Sequence, residues 1–343
     1  MTSPPYWALR DYGRETLTVW DGDPDCKHKW GKRLPSHHPG QVEQTKWKKA
    51  TAAGKGQTAV SGRYCLKCGA WKGQLGLEPD FGSYIRHLCA AFDQVRRVLR
   101  KTGTCWVNMG DTYGGSGNAS GHTAETKNLE YKTSEMGATR GITIGLMPKS
   151  LIMIPFRFAI EMANRGWILR NTIIWHKPNC MPSSAKDRFT VDFEYLFFFT
   201  KSRKYWFEQQ FERLKRGHWD AMPEIGGKKH TQGNSRSVYS GNTPPSNPCG
   251  RNKRCVWNIP TRSFPQAHFA VYPEALCETP IRAGCPPEGI VLDPFMGTGT
   301  TLLVATKLNR KSIGIEPSRK YIKMAIARLE QETSFEGKDN DNA

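Results

Sequence analysis

The sequence predicts an α/β fold, a mostly parallel sheet with helices on both faces. Apolar segments of strand length alternate with segments of helical period, and that alternation calls for a sheet covered by its crossover helices. The segment Ile290-Val291-Leu292 runs straight into a glycine-rich turn, the end of a strand at which such sheets collect ligands. The chain has 343 residues, 38% hydrophobic and 11% aromatic. That is enough for a sizeable core and too apolar for disorder throughout.

Taken in order, residues 20–80 are polar and rich in Lys, Gly and His, and read as an inserted module. From Tyr84 to Leu99 the period is helical: Ile85, Leu88, Cys89, Phe92, Val95 and Leu99 form one stripe, with Gly103 as a stop. Thr104–Met109 reads as a buried strand, and the Gly/Ser/Thr-rich residues 114–145 as a loop. A helix fits Ser150–Asn164, with Pro155 near its start and Gly166 at its end. Trp167–Trp175 and Val191–Thr200 read as strands, the latter turning at Lys201-Ser202 into a further strand, Arg203–Phe207. Residues 217–254 hold many Gly, Pro, Ser and Asn and resemble an extended recognition segment. Strand Gly289–Asp293, helix Thr300–Asn309, strand Lys311–Glu316 and helix Ser318–Gln331 follow, and residues 332–343 are expected to be a disordered tail.

The formal net charge is +19, and it is concentrated. Residues 201–262 carry 13 Lys+Arg against 4 Asp+Glu, and residues 27–55 carry 8 against 1. A field focused in this way attracts polyanions by releasing their counterions. Trp206, Trp219, Tyr239 and Trp257 interleave with the charge and suit stacking on bases. The longest apolar run, Leu151 to Ile160, contains Arg157 and falls far short of the ~20 residues that span a bilayer. The N-terminus lacks a basic-then-apolar signal region, so a cytoplasmic protein without a membrane partner is expected.

Cys26-x-His28 and Cys65-x-x-Cys68, 36 residues apart, supply four soft ligands in two close pairs. Tetrahedral zinc takes Cys3His sets of this kind, and four protein ligands make a structural site. A redox Cys-x-x-Cys is the alternative, but no thioredoxin-like pattern surrounds the pair. The other cysteines are scattered and read as core or surface thiols.

Strand Ile290-Val291-Leu292 ends in Asp293-Pro294-Phe295-Met296-Gly297-Thr298-Gly299-Thr300-Thr301. A dinucleotide fingerprint needs Gly or Ala where Leu302 stands, and no P-loop Gly-Lys-Ser/Thr follows. Glu316 ends the next strand, 17 residues beyond Gly299, where an acid accepts hydrogen bonds from ribose hydroxyls. A nucleoside without phosphates fits best. The stretch Asp293-Pro-Phe-Met-Gly-Thr-Gly-Thr-Thr resembles the S-adenosylmethionine loop of the amino-group DNA methyltransferases.

That family also has an Asp/Ser/Asn-Pro-Pro-aromatic tetrapeptide, which Ser3-Pro4-Pro5-Tyr6 matches. The exocyclic amino nitrogen of cytosine or adenine is a poor nucleophile, because its lone pair is delocalised into the ring. Two acceptors for its N–H bonds, the Ser3 hydroxyl and the Pro4 carbonyl, favour a pyramidal nitrogen that can attack a sulfonium methyl. The prolines fix φ and remove competing donors, and Tyr6 would stack on a flipped base. The resemblance extends to Tyr6–Gly13, Asn108–Tyr113, Trp175–Asn179, Phe193–Thr200 and His268–Glu274.

The resemblance implies a Rossmann-like, S-adenosylmethionine-dependent methyltransferase of the permuted β-group, catalytic tetrapeptide first and cofactor loop last. Residues 1–19 and 81–207 would form its catalytic half, 20–80 a zinc-binding basic insertion, 208–262 the target-recognition region and 263–331 the cofactor-binding half. Ser3, Pro4, Pro5 and Tyr6 would act on the base. His268, Phe269, Pro273, Asp293, Pro294, Phe295, Gly297, Gly299, Thr300, Thr301 and Glu316 would hold the cofactor. Family members have a strand and an acidic cofactor contact before the Pro-Pro loop. This chain starts at Met1-Thr2, so its first strand is expected to be missing and two strand edges open. The implied reaction is site-specific methylation of cytosine N4 in double-stranded DNA, as in restriction-modification or phage protection. Ser in the first motif position leans to N4, and adenine N6 is the alternative. A catalytically inactive DNA-binding protein and an RNA methyltransferase are rivals of other classes. A cognate restriction endonuclease is compatible with this reading, as are monomer and homodimer.

Overall fold

The computed structural model describes residues 1–9, 11–32, 62–113, 149–212, 251–262 and 272–339. Its main sheet is built from β4 (Thr104–Met109), β5 (Ile168–His176), β6 (Phe193–Thr200) and β9 (Val256–Asn258), in the order β4-β6-β5-β9. Strand period decides which layer each side chain joins. Cys105, Val107, Met109, Phe197 and Phe199 face one core, with Leu88 and Phe92 of α1 (Phe81–Val98) and Phe158 and Met162 of α2 (Ile154–Asn164). Trp106, Leu196 and Phe198 face the other, with Leu276 and Ile281 of α3 (Glu274–Gly284) and Val304 and Ala305 of α4 (Thr300–Lys307). The chain is therefore an α/β protein with helices on both faces.

Strand direction follows the mostly parallel expectation with one exception, β6. β10 (Ile290–Asp293) pairs parallel with β11 (Lys311–Gly314), and β5 with β9, but β6 runs antiparallel to both β4 and β5. The main sheet is thus mixed. The chain reverses after β5 and inserts β6 between β5 and β4, and hydrophobic alternation carries no information about direction.

Met1 and Thr2 lie where a strand was expected to be missing. The Thr2 N–H donates to the Trp106 carbonyl (3.0 Å) and the Asn108 N–H to the Thr2 carbonyl (2.9 Å), a parallel bridge to β4. The Met1 ammonium donates to the Leu292 carbonyl of β10 (3.5 Å). These two residues join β4 to β10 at the ends that carry the site. Farther back, Ile290 stays exposed at the start of β10.

Four further differences concern element boundaries. Arg203–Phe207 is not a strand; Tyr205 and Phe207 instead pack their rings on Phe198. Helix α5 (Arg319–Asp339) runs through most of the segment expected to be a disordered tail. Helix α3 was not foreseen. Strands β1 (Thr18–Trp20), β2 (Arg63–Tyr64) and β3 (Trp71–Gly73) form a small antiparallel sheet within the inserted module. Residues 114–145, and most of the recognition region, lie outside the described residues. At that region's margins β7 (Phe211–Glu212) pairs antiparallel with β8 (Arg251–Asn252).

The module docks on α1 through His87. Its ring lies between Trp20 (4.7 Å) and Trp71 (5.6 Å), near-parallel to both. Its nitrogens reach Glu78 Oε1 (3.1 Å) and Asp21 Oδ2 (3.0 Å). Burial works against its charge, but the two carboxylates outweigh this and raise its pKa.

Candidate active site

β10 ends at Asp293, whose side chain is fully buried. A buried carboxylate needs donors, and it has three. The Thr2 hydroxyl (2.6 Å) and the Phe295 N–H (3.0 Å) donate to Oδ1, and the Tyr272 hydroxyl donates to Oδ2 (3.1 Å). Asp293 thereby ties together the first residues of the chain, the segment leading into α3 and the turn after β10. With both oxygens engaged by protein, it supports the cofactor loop from behind.

The loop itself, Pro294 to Gly297, is half-buried. Gly297 adopts φ +50°, and a Cβ built on it would meet nothing within 4 Å, so the missing side chain faces open space on the ligand side. Gly299 serves a different purpose. It has φ +80°, and a Cβ there would come within 2.8 Å of Ala325 Cβ on α5. Close helix packing, rather than approach of a ligand, requires glycine at that position. Thr300 and Thr301 are also turned inward. The Thr300 hydroxyl accepts from Arg328 (3.0 Å), and the Thr301 hydroxyl lies 2.5 Å from that of Tyr272.

Glu316 follows β11 and faces the loop. Its Oε2 accepts from the Gly297 N–H (3.1 Å) and its Oε1 from the Ser318 N–H (2.9 Å). Burial raises its pKa, opposed by these two donors. A carboxylate with spare lone pairs, beside a glycine with open space where a side chain would be, suits a nucleoside with two vicinal hydroxyls. The adenosine of S-adenosylmethionine, whose ribose hydroxyls donate, fits that acceptor. Pro273 is buried ahead of α3, while His268 and Phe269 lie outside the described residues.

The tetrapeptide follows Thr2 directly. The Pro5 carbonyl accepts from the Tyr84 hydroxyl of α1 (2.7 Å), and Pro4 is buried. The Tyr6 hydroxyl donates to Glu194 Oε2 (2.7 Å), and Asn108 Nδ2 donates to both of those oxygens (2.6 Å each). The Ser3 hydroxyl donates to the Tyr6 oxygen (3.4 Å), which leaves the Ser3 lone pairs free to accept. Lys177 pairs with Glu194 Oε1. Burial and the neighbouring Glu194 charge push the Tyr6 phenol well above its usual range, so it stays neutral. Gly110 lies against the ring: a Cβ there would come 2.8 Å from Tyr6 Cε2.

The structure brings Ser3, Pro4, Pro5 and Tyr6 to the same strand ends as the Asp293–Gly297 loop. Phe295 bridges the two, its ring tilted against Phe92 (6.3 Å) in the cluster that includes Trp7 and borders Tyr6. Asp111 turns out to cap α2, its Oδ1 accepting from the Ile154 N–H (3.0 Å). His176 is held by a hydrogen bond at the end of β5, with Nδ1 2.8 Å from Asn258 Oδ1. Sequence reasoning missed Thr2, Tyr272, Asn108, Glu194 and Lys177 as supports of the site. Glu194 carried a signal, an acid inside an otherwise apolar strand. Cys26, His28, Cys65 and Cys68 gather elsewhere, in the inserted module.

Among known families, the family model described as DNA methylase matches residues 1–327. The chain is 38% identical to the Type II methyltransferase M.SmaI of Serratia marcescens, over 96% of this chain and 82% of that one. It is also 38% identical to the Type II methyltransferase M.Cfr9I of Citrobacter freundii, over 97% of this chain and 81% of that one. A solved structure described as PvuII DNA methyltransferase (cytosine-N4-specific) aligns with a TM-score of 0.46 and 19% identity, covering 73% of this chain and 71% of that one. No helix among the described residues is long and apolar enough to cross a membrane.

Proposed function

From a chain that belongs to the family of amino-group DNA methyltransferases, we propose a site-specific enzyme that methylates N4 of cytosine in double-stranded DNA. S-adenosylmethionine supplies the electrophilic methyl group when bound. The observation that carries this reading is the Thr2–Asp293 hydrogen bond, which joins the tetrapeptide to the cofactor loop.

The chemistry follows from the hydrogen-bond directions. Ser3 donates to Tyr6 and Tyr6 donates to Glu194, so the chain ends on an anion and enriches the Ser3 oxygen as an acceptor. Ser3 and the Pro4 carbonyl then accept the two amino N–H bonds of the target base. This draws the nitrogen toward a pyramidal form whose lone pair is available. The nitrogen takes the methyl group as its bond to sulfur breaks, and one proton leaves to solvent. Asn108 and Lys177 hold Glu194 in place, and Gly110 allows Tyr6 its position. Glu316 and the backbone around Gly297 orient the nucleoside. His268, Phe269, Pro273, Pro294, Phe295, Thr300 and Thr301 complete the proposed cofactor neighbourhood.

Cytosine N4 is favoured over adenine N6 by Ser3, a neutral acceptor polarised through Tyr6. A cognate endonuclease fits this reading, since the similar proteins bear Type II names. Methylation-sensitive sequencing of host DNA after expression tests it. The expected result is N4-methylcytosine at one short sequence. N6-methyladenine there would move the reading to the alternative, and unmodified DNA would favour an inactive DNA-binding protein.

A further inference from the structure

The inserted module has almost no core of its own. Its three strands are two or three residues long, and its buried hydrophobic side chains are chiefly Cys65, Ala70 and Trp71. Small units of this kind need a staple. The described residues contain one chemically suited to the task. The ligand atoms of Cys26, His28, Cys65 and Cys68 all lie within 4.8 Å of one another. Cys26 Sγ is 4.0 Å from Cys65 Sγ, and Cys68 Sγ is 3.5 Å from His28 Nδ1. A tetrahedral zinc with ordinary bond lengths requires S···S of about 3.8 Å and S···N of about 3.5 Å. A disulfide requires sulfurs at about 2.05 Å, and all these cysteines are free.

The backbone around the cluster is arranged for thiolates. Gly69 takes φ +74°, and its N–H donates to the Cys65 carbonyl (3.0 Å), closing a knuckle turn. The Lys67 N–H points at Cys65 Sγ (3.4 Å). The Leu66 N–H donates to the Lys29 carbonyl (2.8 Å), and Trp30 bridges Cys65, so the two ligand-bearing loops are already paired. The His28 ring packs on Trp30 (4.7 Å), which fixes its direction.

We propose that Cys26, His28, Cys65 and Cys68 bind one zinc ion in a closed Cys3His site that holds the module together. Four protein ligands leave no position for substrate, so the ion is structural. It locks the loops that carry exposed Lys27, Lys29 and Lys67, while His87 fixes the same module to α1. The site stands on its own geometry, independent of the methyl-transfer reading.

Elemental analysis of the full chain, purified under reducing conditions without added metal, decides the matter without any turnover assay. The expectation is one zinc per chain, reduced at least several-fold in Cys68→Ser. His28→Cys, which keeps four soft ligands, and Cys180→Ser, outside the cluster, should both retain it. Cobalt added to metal-stripped wild-type protein should produce thiolate-to-cobalt charge-transfer absorption and intense tetrahedral ligand-field bands, which do not depend on any variant folding. Wild-type protein that is metal-free and gives no such spectrum overturns the proposal. So does Cys68→Ser with undiminished zinc.

Discussion

The Thr2 hydroxyl donates to the Asp293 carboxylate across 2.6 Å, joining residues 291 positions apart in sequence. Thr2→Val keeps the shape and removes the donor, leaving a buried carboxylate oxygen short of one partner. The expected loss is about 1–3 kcal/mol of stability together with weaker S-adenosylmethionine binding, and Thr2→Ser should restore both. Denaturant unfolding and calorimetry on the three proteins check this. Unchanged stability in Thr2→Val would show the bond to be incidental.

On the proposed reading, Gly297 and Gly299 separate cofactor binding from folding. Gly299→Ala places Cβ at 2.8 Å from Ala325 with φ at +80°, and the left-handed conformation alone costs about 1–2 kcal/mol. A lowered melting temperature is expected. Gly297→Ala meets no protein atom, so it carries the backbone cost without the clash and acts mainly on cofactor affinity. Equal destabilisation by the two substitutions contradicts this division.

Much of this arrangement was readable in sequence, for identifiable reasons. The stripe Ile85–Leu99 gave α1 because it buries one face, and the short apolar run Thr104–Met109 gave β4 because that strand is buried on both faces. Helix α3 escaped notice because Pro280 interrupts its pattern. The small sheet of the module escaped because strands of two or three residues have too few positions to show a period. The antiparallel course of β6 depends on which strand it joins, a non-local matter. Asp293 and Gly299 illustrate the limit within the site. The motif located them, but only three dimensions distinguish a residue that touches ligand from one that supports the loop.

If Glu316 holds the ribose as proposed, cofactor binding is pH-dependent. Its pKa is raised by burial, and it accepts ribose hydroxyls best when ionised. Affinity for S-adenosylmethionine should therefore fall as pH drops, beginning above the ordinary carboxylate range. Glu316→Gln should bind more weakly at neutral pH, with a flatter profile. Titration calorimetry across that range reads both, and parallel profiles for the two proteins would remove Glu316 from the site.

His87 links stability to pH in the opposite sense. Its folded pKa is raised, so its stabilisation is complete below the ordinary histidine value of about 6.5 and is lost as pH rises through the folded value. Glu78, raised chiefly by burial, loses stability in the same direction from the ordinary carboxylate value upward, and Asp21, held down by Arg86 and His87 despite burial, acts oppositely below that value. Unfolding at pH 6 and pH 8 should differ for wild type and much less for His87→Gln. An identical difference in both proteins rules out the linkage.

Gly110 sets the position of Tyr6. Its Cβ would approach Tyr6 Cε2 to 2.8 Å, so Gly110→Ala forces the ring out of its present position. Displacing a positioning group by about 1 Å costs on the order of 10²-fold in rate. The expected effect is on kcat, with cofactor affinity retained.

The most direct measurement digests duplex DNA, after incubation with enzyme and S-adenosylmethionine, to nucleosides and identifies the methylated product by mass spectrometry. Wild type, Tyr6→Ala and Gly297→Ala are run side by side with cofactor affinities. One site built from both ends of the chain predicts N4-methylcytosine from wild type, little product from Tyr6→Ala despite normal cofactor binding, and little from Gly297→Ala because that binding is weakened. Wild-type turnover from Tyr6→Ala, or a wild-type protein that binds cofactor and modifies no base, would contradict it.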